Sequence, residues 1–302
     1  MNQTSNNPQH DIRIGTLVQG SFGADKTAEY IRQIVPHGFE SFQITLGAQI
    51  PDDLNLKEMA KKVLDACGDS ATISSLGVFG NPLQNEATAK SLEKAIKAAP
   101  LFGADIVAGF TGAIEGEPVP NSMPAMKKLW GKLSKIAENK GVRIAWENCD
   151  YGGDWNSPIK NIAHAPAAWE MIFNEIPSDA LGLEWEPCHQ MVSLIDPLPQ
   201  LRKWMPKIFH LHGKDATIAW DVLREKGLRG GEEWIWHRTP GFGDTNWSDV
   251  FTILRQHNFK GAIDIEGWHD PVYKGELEMT GQVHGLNYLK KCRGGDYVPN
   301  PM

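Results

Sequence analysis

The sequence has no apolar run approaching the roughly 18 residues of a membrane span. Its opening stretch, MNQTSNNPQH, lacks the charged and apolar regions of a secretory signal. The expectation is a cytoplasmic protein with no membrane partner and a flexible segment over residues 1–11. Positive charge is also short: 30 Lys and Arg against 37 Asp and Glu leave a net −7. That argues against the broad cationic face that nucleic acid or an anionic membrane needs, although a local basic cleft stays open. The four cysteines, Cys67, Cys149, Cys188 and Cys292, have no CxxC pairing and no close spacing. Neither a zinc knuckle nor a disulfide framework is indicated. No Ser/Gly/Pro linker divides the chain, and no GxGxxG or Walker-type loop follows the first strand candidate, so no nucleotide-type cofactor is expected.

What the sequence does contain is a regular alternation. The 302 residues, 41% hydrophobic, suit one large domain or two ordinary ones. Strand-like runs fall at 13–20, 41–47, 72–80, 105–110, 143–148, 181–187, 208–214 and 262–268. Amphipathic helical patterns fall between them at 26–35, 56–67, 89–102, 126–140, 164–176, 247–258 and 280–292. Eight β/α units in this length fit a closed parallel (β/α)8 barrel, the TIM barrel of the α/β class, better than a doubly wound open sheet. The domain is expected over 12–292, with a long segment at 216–245 after the seventh strand and a tail at 293–302.

Four late strands carry acids or imidazoles where a barrel normally places apolar side chains. In RIAWEN, Glu147 shares a side with Ala145. In LGLEWEP, Glu184 and Glu186 do the same. In IFHLHGK, His210 and His212 alternate with Phe209 and Leu211, and in AIDIEG, Asp264 and Glu266 alternate with Ile263 and Ile265. Burying an unpaired carboxylate costs several kcal/mol, and a shared cation removes that cost. Glu147, Glu186, His212 and Glu266 are therefore expected to converge on one divalent ion at the C-terminal mouth of the barrel. Three carboxylates and one imidazole favour Mn²⁺, with Mg²⁺, Co²⁺, Fe²⁺ or Zn²⁺ as alternatives. The competing reading makes each acid an ordinary salt-bridge partner at a strand end.

At these residues the chain resembles the xylose isomerase-like TIM-barrel superfamily of sugar isomerases, ketose 3-epimerases, inosose dehydratase and endonuclease IV. The resemblance spans about 12–292 and rests on WEN (146–148), EPCHQ (186–190) with IDPL (195–198), HLHGKD (210–215), RTPGFGDTNW (238–247) and IDIEGWHDP (263–271). It implies a metal held by Glu, Asp, His and Glu from strands five to eight. Glu186 replaces the Asp and is longer by one methylene. It also implies that Glu147 and Glu266 remove and return a proton beside a sugar carbonyl, through an enediolate stabilised by the metal. His189, three residues after Glu186, would contact substrate.

The expected activity is epimerisation or isomerisation of a sugar, keto-sugar or related polyol, with a lyase like inosose dehydratase, or one that eliminates from a keto-glycoside, as runner-up. Endonuclease IV-like DNA repair is disfavoured: strands two and three end in TLG and VFG without histidine. The partner is a small molecule, not nucleic acid, and a homo-oligomer is compatible with the sequence. Several residues keep two readings. Lys214 contacts a substrate oxygen or salt-bridges a loop acid. Asn148 binds substrate, orients Glu147 or caps a turn. Arg238 grips a substrate oxyanion or anchors its loop to Asp244. His210 reads as a hydrogen-bonded interior residue, and Glu184 and Asp264 as supports beneath the ligands. About a third of the tryptophans near strand ends are expected to face substrate.

Overall fold

The computed structural model describes residues 11–301. Eight parallel strands close into a barrel: β1 (Arg13–Gln19), β2 (Ser41–Thr45), β3 (Thr72–Val78), β4 (Ile106–Gly109), β5 (Arg143–Glu147), β6 (Leu181–Trp185), β7 (Ile208–Gly213) and β10 (Ala262–Ile265). The last strand inserts between β7 and β1, as closure requires. All eight expected strands are present, each shorter at its C-terminal end than the hydrophobic pattern. β6 stops at Trp185, so Glu186 is an extended residue that begins the next turn.

The helices form because their apolar residues recur on one face. In α2 (Leu56–Cys67), Leu56, Met59, Ala60, Val63 and Cys67 are buried, and the Asn55 side chain accepts from the Lys57 and Glu58 amides at the N-terminus. The other expected helices are α1 (Ala24–Ile34), α3 (Glu86–Ala98), α4 (Met123–Lys140), α5 (Pro166–Glu175), α9 (Trp247–Gln256) and α10 (Glu278–Arg293). Three further helices escape the pattern because they are short: α6 (Pro187–Val192), α7 (Pro197–Trp204) and α8 (Trp220–Lys226). The segment after β7 is folded, with β8 (Asp215–Ile218) pairing antiparallel to β9 (Ile235–Arg238) beside the mouth. No helix among the described residues is long and apolar enough to cross a membrane.

Strict alternation misplaces Phe209. The register between β6 and β7 slips at Leu183/Glu184, so that Leu183 pairs with Ile208 and Glu184 with His210. Phe209 then packs with Ile106 and Ala145 in a small apolar group separate from the layer between barrel and helices. Gly182 makes room for that ring, since a Cβ there would lie 2.5 Å from it. Of the expected flexible segment, residues 1–10 lie outside the described residues; Asp11 is within hydrogen-bonding distance of Arg255, 3.1 Å. Arg293, the first residue of the expected tail, is buried and donates to Glu40 and to the Ile12 carbonyl.

Candidate metal centre and active site

A hydrogen-bonded chain runs through the barrel interior and ends at the mouth. Asp264 on β10 accepts from the Ser41 and Ser74 hydroxyls and lies 2.8 Å from His210 Nε2. His210 Nδ1 lies 2.8 Å from Glu184 Oε1, which also accepts from Gln43 Nε2 at 2.5 Å. The Gln43 carbonyl in turn lies 2.7 Å from His212 Nε2. Asp264, His210, Glu184 and Gln43 are fully buried, as the interior of a small barrel requires. Gly15 on β1 leaves the space for this chain: a Cβ there would sit 2.2 Å from Asp264 Oδ1.

Above it, Glu147, Glu186, His212 and Glu266 each bring one potential ligand atom to within 4.8 Å of the others. His212 Nδ1 is 3.4 Å from Glu266 Oε2 and 3.9 Å from Glu186 Oε2. Both carboxylate oxygens of Glu186, Oε2 of Glu266 and Nδ1 of His212 are buried without a hydrogen-bond partner. Buried polar atoms are ordinarily paired. These atoms come from two carboxylates and one imidazole, and with the nearby carboxylate of Glu147 they make the donor set of a divalent cation, three hard carboxylates and one imidazole. The residues present therefore fit a metal.

The electrostatics are those of crowded carboxylates under cationic neighbours. Burial, and then the charges of Glu186 and Glu266, push the Glu147 carboxyl well above its ordinary range. Burial opposes ionisation of Glu186 as well, but His189 and Lys214 outweigh it and hold that carboxyl down to about 2. Glu266 is likewise held well below the usual range against its burial, by Lys214, His212 and His269. Lys214 Nζ lies 3.1 Å from Glu266 and 3.9 Å from Glu186. Its partners are thus the acids of the centre itself, not a loop acid.

A cavity of about 770 Å³ opens over this cluster. Glu147, His189, His212, Lys214 and Glu266 line it, with Phe79, Phe110, Tyr151 and Trp268 as apolar walls. His189, on α6, lies with Nε2 2.7 Å from Glu186 Oε1 and 3.9 Å from Glu147 Oε1. Two expected contacts do not reach the cavity. Asn148 is fully buried and forms two hydrogen bonds with the Glu186 backbone, at 2.9 and 2.7 Å, so it fixes the peptide of that acid instead of facing substrate, orienting Glu147 or capping a turn. Arg238 donates to Asp270 at 3.1 Å and does not line the cavity; Asp244 instead accepts from the Ile218 amide. The tryptophan expectation is also too high. Trp146, Trp185 and Trp247 are fully buried, and among the tryptophans Trp268 alone lines this cavity.

Sequence reasoning missed Gln43, His237 and His269. His269 Nε2 donates to Glu266 Oε1 at 2.8 Å and follows that residue by three, the same spacing that singles out His189 after Glu186. His237 precedes Arg238 and stands 5.2 Å, ring to ring, from His189. Burial first, then the nearby Lys214 and His189, depress its imidazole to about 3, so it is neutral at ordinary pH. Gln43 gave no signal, because a single amide in a β-strand carries no pattern.

The profile of the family described as xylose isomerase-like TIM barrel matches residues 31–292. Inosose dehydratase of Clostridium botulinum (strain Alaska E43 / Type E3) is 26% identical over 167 residues, 53% of this chain and 51% of that protein. The chain thus spans about half the length of the curated inosose dehydratases it matches. Among solved structures, a xylose isomerase domain protein from Planctomyces limnophilus superposes with a TM-score of 0.68 at 16% identity, over 94% of this chain and 97% of the other. The 3-keto-D-glucoside 4-epimerase YcjR from E. coli does so with a TM-score of 0.67 at 15% identity, over 93% and 100%. These last two likenesses concern the fold. With a closed eight-stranded barrel and a family match across most of its length, the chain belongs to the xylose isomerase-like TIM barrel family.

Proposed function

We propose that the protein is a divalent-metal-dependent epimerase or isomerase of a sugar, keto-sugar or related polyol. One observation carries this reading: four buried atoms from Glu147, Glu186, His212 and Glu266, three of these residues having atoms without hydrogen-bond partners, face one another beneath a cavity of sugar-accepting size. A divalent ion held there, Mn²⁺ in our reading, would supply positive charge for the oxygen on which negative charge develops.

The chain's own groups do the rest. Glu147 and Glu266 come from strands separated by β6 and β7 and form the pair that removes a proton beside the carbonyl and returns it. Lys214 and His269 hold Glu266 in place, and His189 and His237 offer ring nitrogens to substrate hydroxyls from the α6 and β9 side. Phe79, Phe110, Tyr151 and Trp268 exclude water and present faces to C–H groups.

The second reading is a lyase, in which the same proton removal is followed by loss of a β-hydroxyl or glycosyl group. The partial sequence match to inosose dehydratases favours keeping it. The test is incubation of the metal-loaded protein in D₂O with ketoses, keto-inositols and 3-keto-glycosides, followed by NMR. Deuterium at one inverted carbon supports the epimerase; release of water or aglycone supports the lyase. Absence of exchange with every substrate, in protein shown to hold the ion, would sink both.

A further inference from the structure

We infer that Gln43 is a positioning residue that sets which nitrogen of His212 faces the metal centre. Hydrogen-bond polarity determines it. Glu184 Oε1 faces two nitrogen groups, Gln43 Nε2 at 2.5 Å and His210 Nδ1 at 2.8 Å. A carboxylate has no hydrogen to give, so Gln43 turns its NH₂ toward Glu184. Its carbonyl is then left pointing at His212 Nε2, 2.7 Å away. A carbonyl can only accept, so Nε2 must carry the proton. The other nitrogen, Nδ1, is the buried atom without a partner that faces Glu186 and Glu266.

Reversing the amide leaves like pairs in contact. With the Gln43 amide reversed, its oxygen would oppose the Glu184 carboxylate and its NH₂ would oppose the Nε2 hydrogen. Glu184 Oε1 also lies 3.2 Å from His212 Nε2, a second acceptor on the same side of the ring. The amide is held at both ends, by Glu184 on its nitrogen and by the His212 ring on its oxygen. Gln43 therefore connects the charged interior chain to the ligand ring without itself carrying charge, and it does not line the cavity.

The inference rests on the reading of His212 as a ligand, and the experiment separates the two. Protein labelled with ¹⁵N-histidine is examined metal-free for the Nε2–H of His212, and Mn²⁺ affinity is measured by electron paramagnetic resonance. Both are repeated for Gln43→Met, which keeps the length and loses both polar atoms. The parent should carry its proton on Nε2. The variant should lose or broaden that signal and bind Mn²⁺ about 10- to 100-fold more weakly, the usual consequence of removing a ligand's hydrogen-bond partner. A merely structural glutamine would lower the melting temperature and leave both readouts alone. A bare Nε2 in the parent overturns the inference whether or not the variant folds, and so does a folded variant with unchanged ¹⁵N signals and affinity. A parent that binds no Mn²⁺ but loses the Nε2–H signal on substitution would keep the role of Gln43 and remove the metal reading.

Discussion

Replacing His210 by leucine tests whether the interior chain is held by its imidazole. The ring is fully buried, and each nitrogen lies 2.8 Å from a carboxylate, an arrangement that suits a proton on both; burial works against the charged ring, but hydrogen bonds to Asp264 and Glu184 raise its pKa. Removing one partner from a buried ion pair typically costs about 3–5 kcal/mol. Here two carboxylates lose a partner, while the hydroxyls of Ser41 and Ser74 and the amide of Gln43 remain as donors. The expected loss is therefore about 3–5 kcal/mol and not twice that, still a large fraction of the roughly 5–15 kcal/mol that holds a typical domain. Equilibrium unfolding in urea at pH 7.5, followed by tryptophan fluorescence and far-UV circular dichroism, measures it. The pH dependence has a definite sign. In the parent, burial works against ionisation of Glu184, yet His212 and His210 hold its pKa below the usual value, so its contribution is present above the unfolded pKa and fades as pH falls through the folded one. In the variant only His212 is left to oppose burial, so the Glu184 pKa moves upward and less stability is lost as pH falls. The deficit should narrow on acidification. A loss below about 1 kcal/mol at pH 7.5, or a deficit that widens in acid, would refute the reasoning.

Other outcomes follow from the same geometry. His189→Ala should lower kcat/KM by about 30- to 1000-fold and, because its ring lies 2.7 Å from Glu186, weaken Mn²⁺ binding by no more than about 10- to 100-fold, whereas Glu186→Ala should lose the metal; complete loss of Mn²⁺ binding in the histidine variant would reassign it as a ligand. Gly15→Ala places a Cβ 1.9 Å from the Ser41 carbonyl, so soluble expression should fail or the unfolding free energy should drop by about 3 kcal/mol, and a fully stable variant would contradict the packing described. His164 is buried with Nε2 unpaired, and burial lowers its pKa, so its contribution is present above the unfolded value near 6.5 and lost as pH falls below it. Melting curves between pH 7.5 and 5 should show a shallower decline in His164→Gln, by at most about 1.4 kcal/mol per pH unit, and identical slopes would exclude the effect.

The barrel was legible in the sequence because its two periodicities are physical: alternation in the strands and recurrence every three or four residues in the helices. The convergence of Glu147, Glu186, His212 and Glu266 was legible for the same reason, since closure brings the ends of β5, β6, β7 and β10 to one mouth. Phe209 was misread because a register slip changes its face without leaving a mark in the composition. Arg238 and Asn148 were misread for a different reason. A guanidinium or amide near an active site is as well matched to a protein acceptor as to a ligand, and which it meets depends on loop geometry. Asp270 meets Arg238 32 residues away, and it also accepts from the amides of Thr239, Val272 and Tyr273. Asn148 meets the Glu186 peptide only because β5 and β6 are neighbours.

That clamp bears on the extra methylene of Glu186. Asn148 holds both the amide and the carbonyl of Glu186, so the backbone of this residue is fixed where β6 gives way to α6. A longer side chain on a fixed backbone must fold back or reach further. Glu186 lies with Oε1 beside His189, one turn along α6, and Oε2 toward His212 and Lys214. Strand alternation puts Glu184, two residues earlier, on the same face, where it joins the interior chain that orients Gln43. One short strand thus supplies an acid to the centre and, a layer below, the acid that turns Gln43 toward the ring of His212. A slip of one residue in β6 would remove both together, which is why the register irregularity beside Glu184 belongs to the site as much as to the barrel.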